Sequence, residues 1–241
     1  MAARDHPAPR YRPRVSKREP ADGDPAPGLA RLPPGRHGLP RSFVTENQRG
    51  RLAAGMIAAV VEHGYHDATV SQIAAAAGVS RRTFYTFFSS KQEAYLDTYE
   101  LIASHLREQM AAAGAEHDDW PDRVRAGFAA MLEIFAANPD LARFCLIAPL
   151  SANQEIAARY RLSMKRLLAL LTAAMPPPPA SRRPSRAAED GLVGGIAALI
   201  VRKVKAGEGE RLLELLPDLL ELALTPYVGR EEAVRVARRS A

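Results

Sequence analysis

The sequence has a single cysteine, Cys145, and only 6% aromatic residues. One thiol cannot form an intramolecular disulfide, so a secreted scaffold held together by disulfides is excluded. Long apolar runs are also scarce: Leu192 to Val201 spans ten residues, two of them glycine, whereas about 20 are needed to cross a bilayer. No apolar signal-peptide segment follows the basic residues near the N-terminus. We therefore expect a soluble, cytoplasmic protein.

The first 42 residues differ from the rest of the chain. They contain nine basic and four acidic residues, nine of the 19 prolines, and few aliphatic side chains. Such a segment buries too little apolar surface to offset the entropy lost on ordering. Residues 1–42 are therefore predicted to be a disordered basic tail.

Beyond Pro40, apolar residues recur at helical spacing and no alternating strand pattern appears, which predicts an all-α fold. Gly64 is expected to end the first helix with a left-handed residue. The second helix is expected over Val70 to Ala77 and the third from Ser80 through Phe87. Three helix starts carry the pattern of a capping box: Thr45–Gln48, Thr69–Gln72 and Ser90–Glu93.

Two short helices joined by the turn Ala77-Gly78-Val79-Ser80 are typical of a helix-turn-helix, although an ordinary corner between helices has the same layout. In the third helix Phe84 and Phe88 are expected to face inward. Arg81 and Arg82 then lie at an exposed helix N-terminus, where two positive charges oppose the macrodipole. The stability of the helix does not explain these two arginines, whereas binding to a polyanionic partner does.

These motifs resemble the DNA-binding domain of the TetR family of bacterial transcriptional regulators. The resemblance covers residues 43–96 and rests on Thr69-Val70 to Ile73-Ala74, Ala77-Gly78-Val79-Ser80, Thr83-Phe84-Tyr85 and Phe88 to Lys91. It implies a helix-turn-helix domain over residues 43–91 and a helical effector-binding and dimerisation domain over 92–241. It also implies a homodimer, usually a repressor, that binds an operator in double-stranded DNA and releases it when a small effector binds.

The resemblance places the helix from Ser80 to Phe87 in the major groove. Arg81, Arg82 and Thr83 would contact base edges, and an arginine can pair with two acceptors of guanine. Tyr85, Thr69 and Lys91 would contact phosphates. Two residues depart from the family pattern. Arg82 replaces a common glycine. Phe87 replaces a polar residue, and it is expected to contact a thymine methyl or a sugar, or to pack under Tyr85. The predicted DNA-binding residues are Thr69, Ser80, Arg81, Arg82, Thr83, Tyr85, Thr86, Phe87 and Lys91.

The second domain offers apolar helix faces rather than motifs. Their default interpretation is a buried core, but large, adaptable side chains between helices also line ligand cavities. The hypothesis is an apolar effector pocket, with no charged residue assigned to it. Its predicted lining is Met110, Trp120, Phe128, Met131, Phe135, Phe144, Tyr160 and Met164.

Small residues at helical spacing follow the proline-rich segment 175–184, which is expected to be an extended linker. Glycine in a helix interior costs roughly 1 kcal/mol, so three glycines suggest close approach of a second helix. A leucine-rich segment follows. Because it contains Pro217, it is either one kinked helix or a short turn followed by a helix that starts at Pro217. The predicted dimer interface is Ala187, Gly191, Gly194, Gly195, Ala198, Leu216 and Leu220.

Catalytic signals are weak, so the protein is not expected to be an enzyme and no cofactor is expected. His63 and His66 flank the predicted helix end at Gly64 and would not share a face, which disfavours a metal site. Cys145 lies in an apolar run, as an inert core thiol does. The alternative function is a sequence-tolerant architectural DNA-binding protein whose second domain only dimerises. The basic tail is either an arm that adds salt-dependent affinity for DNA or a dispensable extension.

Overall fold

The computed structural model of the protein describes residues 41–173 and 184–238, with side chains from Asn47 onward. Within these ranges the chain is helical and contains no strand, so the all-α fold is confirmed. The helices are α1 (Arg41–Asp67), α2 (Val70–Ala76), α3 (Arg81–Phe87), α4 (Lys91–Ala115), α5 (Trp120–Ala137), α6 (Pro139–Ala142), α7 (Ala148–Ser151), α8 (Gln154–Thr172), α9 (Arg186–Lys205), α10 (Leu216–Val228) and α11 (Arg230–Ala237).

Two irregular helical segments complete the described chain. Residues Arg143–Ile147 form a π-helical segment between α6 and α7, and Gly209–Leu215 form a 3-10 segment before α10. The predicted tail lies outside the described residues except for Arg41 and Ser42. The predicted linker 175–184 lies outside them except for Pro184.

The first helix begins earlier than its capping motif predicted. Helix α1 starts at Arg41, so Thr45–Gln48 lies inside it and does not begin it. The physical reason is that residues 41–49 include neither glycine nor proline, and a capping sequence does not stop a helix that begins upstream of it. Gly64 interrupts α1 with φ 79° and ψ 161°, so the break is where it was predicted, although its ψ differs from that of a left-handed helical residue.

The other two capping predictions are confirmed in full or in part. The Thr69 side chain accepts from the Gln72 amide and the Gln72 side chain accepts from the Thr69 amide, which is a complete capping box at α2. Ser90 caps α4 by accepting from the Glu93 amide at 3.1 Å. The Glu93 carboxylate, however, accepts from the amide and hydroxyl of Ser89 and not from Ser90.

Helix α4 connects the N-terminal three-helix unit to the rest of the molecule. The N-terminal half of α4 packs against α1, and the helix continues along α5 and α8. Along α4 the spacing of Tyr95, Tyr99, Ala103, Leu106 and Met110 predicts one inward face, and all five are buried. One continuous apolar core therefore runs from the helix-turn-helix into the second domain.

The leucine-rich segment is a short turn followed by a helix. The 3-10 segment ends at Leu215, and α10 begins at Leu216 with Pro217 in its first turn. Proline is tolerated there because the amides of the first turn make no hydrogen bond within the helix. Helix α10 packs closely on α11 and also contacts α5 and α9. No helix in the described ranges is long and apolar enough to cross a membrane.

Candidate DNA-binding surface and effector cavity

Helices α2 and α3 form a compact helix-turn-helix. The turn between them depends on Gly78, whose φ of 62° favours glycine, and it is closed by the Val79 amide donating to the Ala74 carbonyl at 2.9 Å. Ser80 then caps α3 by accepting from the Thr83 amide at 3.0 Å. The sequence from Ala77 to Ser80 thus sets the angle at which α3 leaves α2.

Arg51 braces this turn, a role that the sequence pattern did not indicate. Its Nη2 atom donates to the carbonyl oxygens of Ala77 and Gly78, both at 2.6 Å. A Cβ atom at position 78 would lie 2.6 Å from the same nitrogen, so a larger residue there would displace the Arg51 guanidinium from the turn. The guanidinium of Arg51 thereby links α1 directly to the turn before α3.

Gly55 allows α1 to approach α2 closely. A Cβ atom there would lie 2.6 Å from the Ile73 carbonyl oxygen and 2.7 Å from the Ala77 nitrogen, which are backbone atoms that cannot move aside cheaply. The available signal in the sequence was a glycine in the middle of an apolar helix stripe, where glycine costs stability unless a close contact requires it.

Helix α3 presents its polar side chains to solvent. Phe84 and Phe88 are buried, as predicted, with ring centroids 5.7 Å apart. Arg81, Arg82, Tyr85 and Thr86 are exposed, whereas Thr83 and Phe87 are half-buried. The segment from residue 68 to 92 contains three basic residues and no acidic one. The exposed face of α3 is therefore cationic and has no carboxylate on its own segment to neutralise it.

Phe87 is partly accounted for by packing. It lies against the core beside Phe88, with ring centroids 6.4 Å apart. The remainder of the ring is accessible, so a contact to a thymine methyl and a packing role are both compatible with its position.

The three residues predicted to contact phosphates differ in whether their polar groups already make hydrogen bonds within the protein. Tyr85 is 51% exposed. The Thr69 hydroxyl donates to the Gln72 side chain at 2.7 Å as part of the capping box. The Lys91 ammonium donates to the carbonyl oxygens of Tyr65 and Ala68 at 2.6 and 2.8 Å, and burial lowers its pKa. In this conformation Lys91 holds the end of α1 against the start of α4.

Polar contacts also join the end of α1 and the start of α4 to α7 and α8. His66 Nε2 lies 2.7 Å from the Ser151 carbonyl oxygen. Asn153, which caps α8, donates to the side chain of Gln92 near the start of α4, and Gln92 donates to Glu155. Sequence patterns did not predict these contacts, because they join residues 60 or more positions apart.

The second domain contains an apolar cavity of about 50 Å³ enclosed by α4, α5, the π-helical segment, α8 and α9. Four of the predicted residues line it: Met110, Met131, Phe135 and Met164. Cys145 also lines it, and burial raises the pKa of its thiol to about 12, which keeps it protonated. The wall is almost wholly apolar, with Arg107 and Ser163 as its polar members.

The remaining predicted pocket residues lie elsewhere. Phe128 and Phe144 are fully buried core residues that line none of the three cavities described here, since they pack inward from α5 and the π-helical segment. Trp120 lines a second cavity of about 180 Å³, and Tyr160 a third of about 400 Å³. The Trp120 indole also donates to the Leu171 carbonyl at 2.7 Å. Periodicity identified apolar faces but could not separate core from cavity wall.

Shared side chains separate the three cavities. Met110 and Leu171 border both the first and the second, while Met164 and Val193 border both the first and the third. Methionine side chains change rotamer readily. Met110 and Met164 are therefore adaptable parts of the boundaries between the cavities.

The small-residue face of α9 is open in the protomer. Ala187, Gly191, Gly194 and Ala198 are exposed, and a Cβ atom at either glycine would meet nothing within 4 Å. Gly195 differs, because a Cβ atom there would lie 3.4 Å from Leu222 of α10. Leu216 is half-buried. Leu220 is fully buried within the protomer, so its assignment to a dimer interface was wrong: that face of α10 packs on the protomer's own core.

Residues 57–96 match the model of the bacterial regulatory proteins of the tetR family. The chain is also similar to FasR of Mycolicibacterium smegmatis, an HTH-type transcriptional activator, with 28% identity over 125 residues. This match covers 52% of the chain and 55% of the relative, so the chain spans little more than half the length of that relative.

Solved structures of similar fold include FadR, the fatty acid degradation regulator of Bacillus halodurans, with a TM-score of 0.64 and 20% identity. FadR of Bacillus subtilis, solved in complex with stearoyl-CoA, has a TM-score of 0.60 and 17% identity. Each match covers 75% of this chain and 98% of the other. At these identities the similarity establishes the fold alone.

Proposed function

We propose that the chain is a transcriptional regulator of the tetR family of bacterial regulatory proteins, not an enzyme, and that it represses transcription as a homodimer on a palindromic operator. The observation that carries this proposal is the exposed, cationic α3 with Arg81 and Arg82 at its start. Two such helices in successive major grooves would lie about 34 Å apart. Residues 43–91 form the DNA-binding domain in this proposal, and residues 92–241 bind effector and dimerise.

Base recognition is assigned to the start of α3. Arg81 and Arg82 have no carboxylate partner on their own segment and reach solvent, so each can pair with a guanine edge. Phosphate contacts are assigned to Tyr85 and to the amides at the start of α4, where the helix dipole favours an anion. Lys91 is assigned an indirect role, because its ammonium holds the α1 carbonyls.

The effector is proposed to be a ligand with a long apolar chain. The cavity wall beside α4 and α8 is apolar and borders two further spaces across methionine side chains. The structure of a protein of similar fold holds stearoyl-CoA, a ligand with such a chain. A chain that joins the cavities would displace α4 relative to α8.

Helix α4 offers a direct route from effector to DNA. It starts at the helix-turn-helix and lines the cavity further along with Tyr99, Ala103 and Met110. A shift of α4 would change the spacing of the two recognition helices, and a spacing that no longer fits the operator releases DNA. Such a population shift requires that the effector bind the released conformation more tightly.

Selection of bound fragments from the source genome, followed by competition against random DNA, tests the regulatory function. A regulator is expected to prefer one palindromic site by about 10³-fold or more. A sequence-tolerant architectural protein would show little preference and a steep dependence on salt. Addition of stearoyl-CoA to the operator complex then tests the effector: release supports repression, whereas tighter binding indicates activation.

A further inference from the structure

We propose that the Arg107 guanidinium is the anchor for the oxygen-bearing end of an anionic amphiphile whose apolar chain occupies the first cavity together with the two cavities that border it. This inference rests on the proposed function and specifies its ligand class. It is carried by a polar group in an otherwise apolar wall: Arg107 lines the cavity, and its Nη1 atom is buried without a hydrogen-bond partner in the described part of the chain.

The other terminal nitrogen of the Arg107 guanidinium is already hydrogen-bonded within the protein. Its Nη2 atom donates to Glu100 Oε1 at 3.0 Å and to Ser104 Oγ at 2.8 Å. The side chain is 22% exposed, so the guanidinium is oriented before any ligand arrives. A buried donor without a partner is destabilising, and a ligand acceptor oxygen at Nη1 would remove that cost.

The surrounding charge also favours an anion. Glu100 accepts from Arg107, Arg159 and Arg166, at 3.0, 3.2 and 2.9 Å. Three guanidinium groups on one carboxylate leave a net charge of +2. Arg159 and Arg166 are more exposed than Arg107, at 39% and 45%, so the excess positive charge extends from the cavity wall to the surface along α8.

The polar groups share one side of the cavity. Arg107 lies on α4, and Ser163, which hydrogen-bonds to Tyr99, lies on α8 between Arg159 and Arg166 in sequence. The opposite walls are apolar, with Met131 and Phe135 from α5 and Ile196 and Ile200 from α9. An amphiphile is therefore oriented, with its head at the seam between α4 and α8 and its chain toward α5 and α9.

Two ligands share this chemistry: a free fatty acid with its carboxylate at Nη1, and an acyl thioester with its carbonyl at Nη1 and further anionic groups at Arg159 and Arg166. Binding of palmitate, hexadecanol and palmitoyl-CoA, measured by Trp120 fluorescence and calorimetry on the full chain, separates them. Wild-type protein is expected to bind palmitate at least about tenfold more tightly than hexadecanol, since a charge-assisted hydrogen bond is gained.

Arg107→Met should remove that preference by weakening palmitate about tenfold while hexadecanol stays unchanged. Arg107→Lys keeps the charge beside Glu100 but has no second nitrogen for the ligand, so it should also lose the preference. Arg143→Met, which removes an exposed arginine paired loosely with Asp140 at 3.8 Å, is the matched control and should bind all three probes normally. Arg166→Met should weaken palmitoyl-CoA and spare palmitate if the thioester is the ligand.

Equal binding of palmitate and hexadecanol by wild-type protein would overturn the anchor, while release of operator DNA by both probes would leave the proposed function standing. If Arg107→Lys keeps the full preference for palmitate over hexadecanol, Arg107 contributes only a positive charge beside Glu100, and the anchor is overturned as well. Failure of every probe to bind would refute both the anchor and the apolar effector. Loss of operator preference in wild-type protein is a separate failure, of the regulatory function itself.

Discussion

The Lys91 ammonium lies 4.6 Å from the centroid of the Tyr65 ring and donates a hydrogen bond of 2.6 Å to the Tyr65 carbonyl oxygen. It also donates to the carbonyls of His66 and Ala68. These oxygens follow Gly64, where the backbone dihedrals of α1 are not helical. The Lys91 side chain of α4 thus holds the end of α1 in place directly before α2 begins.

Lys91→Met is expected to lower the free energy of unfolding by about 1–3 kcal/mol, because buried carbonyls lose a charged donor. It should also weaken operator and random DNA alike, since a displaced α1 shifts the whole helix-turn-helix without changing base contacts. Thermal unfolding and DNA competition measure the two effects. Lys205→Met, which removes an exposed charge from the end of α9, is the control. Unchanged stability with weakened DNA binding would show instead that the ammonium leaves the carbonyls and contacts phosphate.

The sequence predicted well the features that depend on neighbouring residues. The capping residues Thr69 and Ser80 and the inward pair Phe84 and Phe88 all act within one or two helical turns, so a short pattern contains the full physical cause. The apolar spacing from Tyr95 to Met110 in α4 is likewise a local pattern, and the residues that form it are buried. Helix starts were less certain, as α1 shows, because a capping sequence is compatible with the interior of a helix.

Features that join distant segments were not predictable. Arg51 meets the turn at Gly78 across 27 positions, and Arg107 meets the arginines of α8 only through Glu100. The division between core and cavity depends on five elements packing together, which is why Phe128 was assigned to the pocket and lies in the core. Leu220 was misplaced because a leucine-rich helix shows no preferred outer face until its neighbours are known.

Arg82→Ala is expected to relax base preference at one position of each half-site. An arginine paired with guanine contributes about 1–3 kcal/mol of discrimination, which is lost with the side chain. Competition between the selected operator and versions altered at each position measures the change. The Lys205→Ala variant removes an equal charge far from α3 in sequence and should keep the full preference. Uniform weakening across all sequences by Arg82→Ala would assign the side chain to phosphate.

Gly55→Ala should destabilise the protein and lower its DNA affinity together. The added Cβ atom would clash with the Ile73 carbonyl oxygen and the Ala77 nitrogen, which forces α2 away from α1. Overpacking of this kind costs about 1–3 kcal/mol, more than the helix propensity that alanine gains. Chemical denaturation of this variant and of Ala58→Ser, an exposed change of similar size in the same helix, measures the difference. Equal stability of the two variants would contradict the close contact.

Glu100 should make stability depend on acidity. Burial raises the pKa of this carboxyl, but hydrogen bonds from Arg107 and Arg159 outweigh the burial, and the net pKa lies below its ordinary value of 4.5. A depressed pKa contributes stability that is fully present above about pH 4.5 and is lost as the pH falls through the folded value. Glu100→Gln should therefore be less stable than wild type at pH 7, and the gap should narrow below pH 4.5. A gap that stays constant from pH 7 down to pH 3 would contradict the ion-pair cluster.

Gly191→Trp is expected to separate dimerisation from folding. A Cβ atom at Gly191 meets nothing within 4 Å in the protomer, so a large side chain there should leave the protomer intact. If α9 meets its symmetry mate through this face, the indole holds the two helices apart and the dimer dissociates. Sedimentation at micromolar concentration measures the assembly, and circular dichroism confirms that the protomer remains helical.

The control Ala112→Trp adds the same side chain to an exposed position on α4 and should remain dimeric. A palindromic operator engages both recognition helices at once, so the Gly191→Trp protomer should bind a single half-site as before while its affinity for the full operator falls to that level. A variant that stays dimeric and binds the full operator normally would exclude the small-residue face of α9 from the interface.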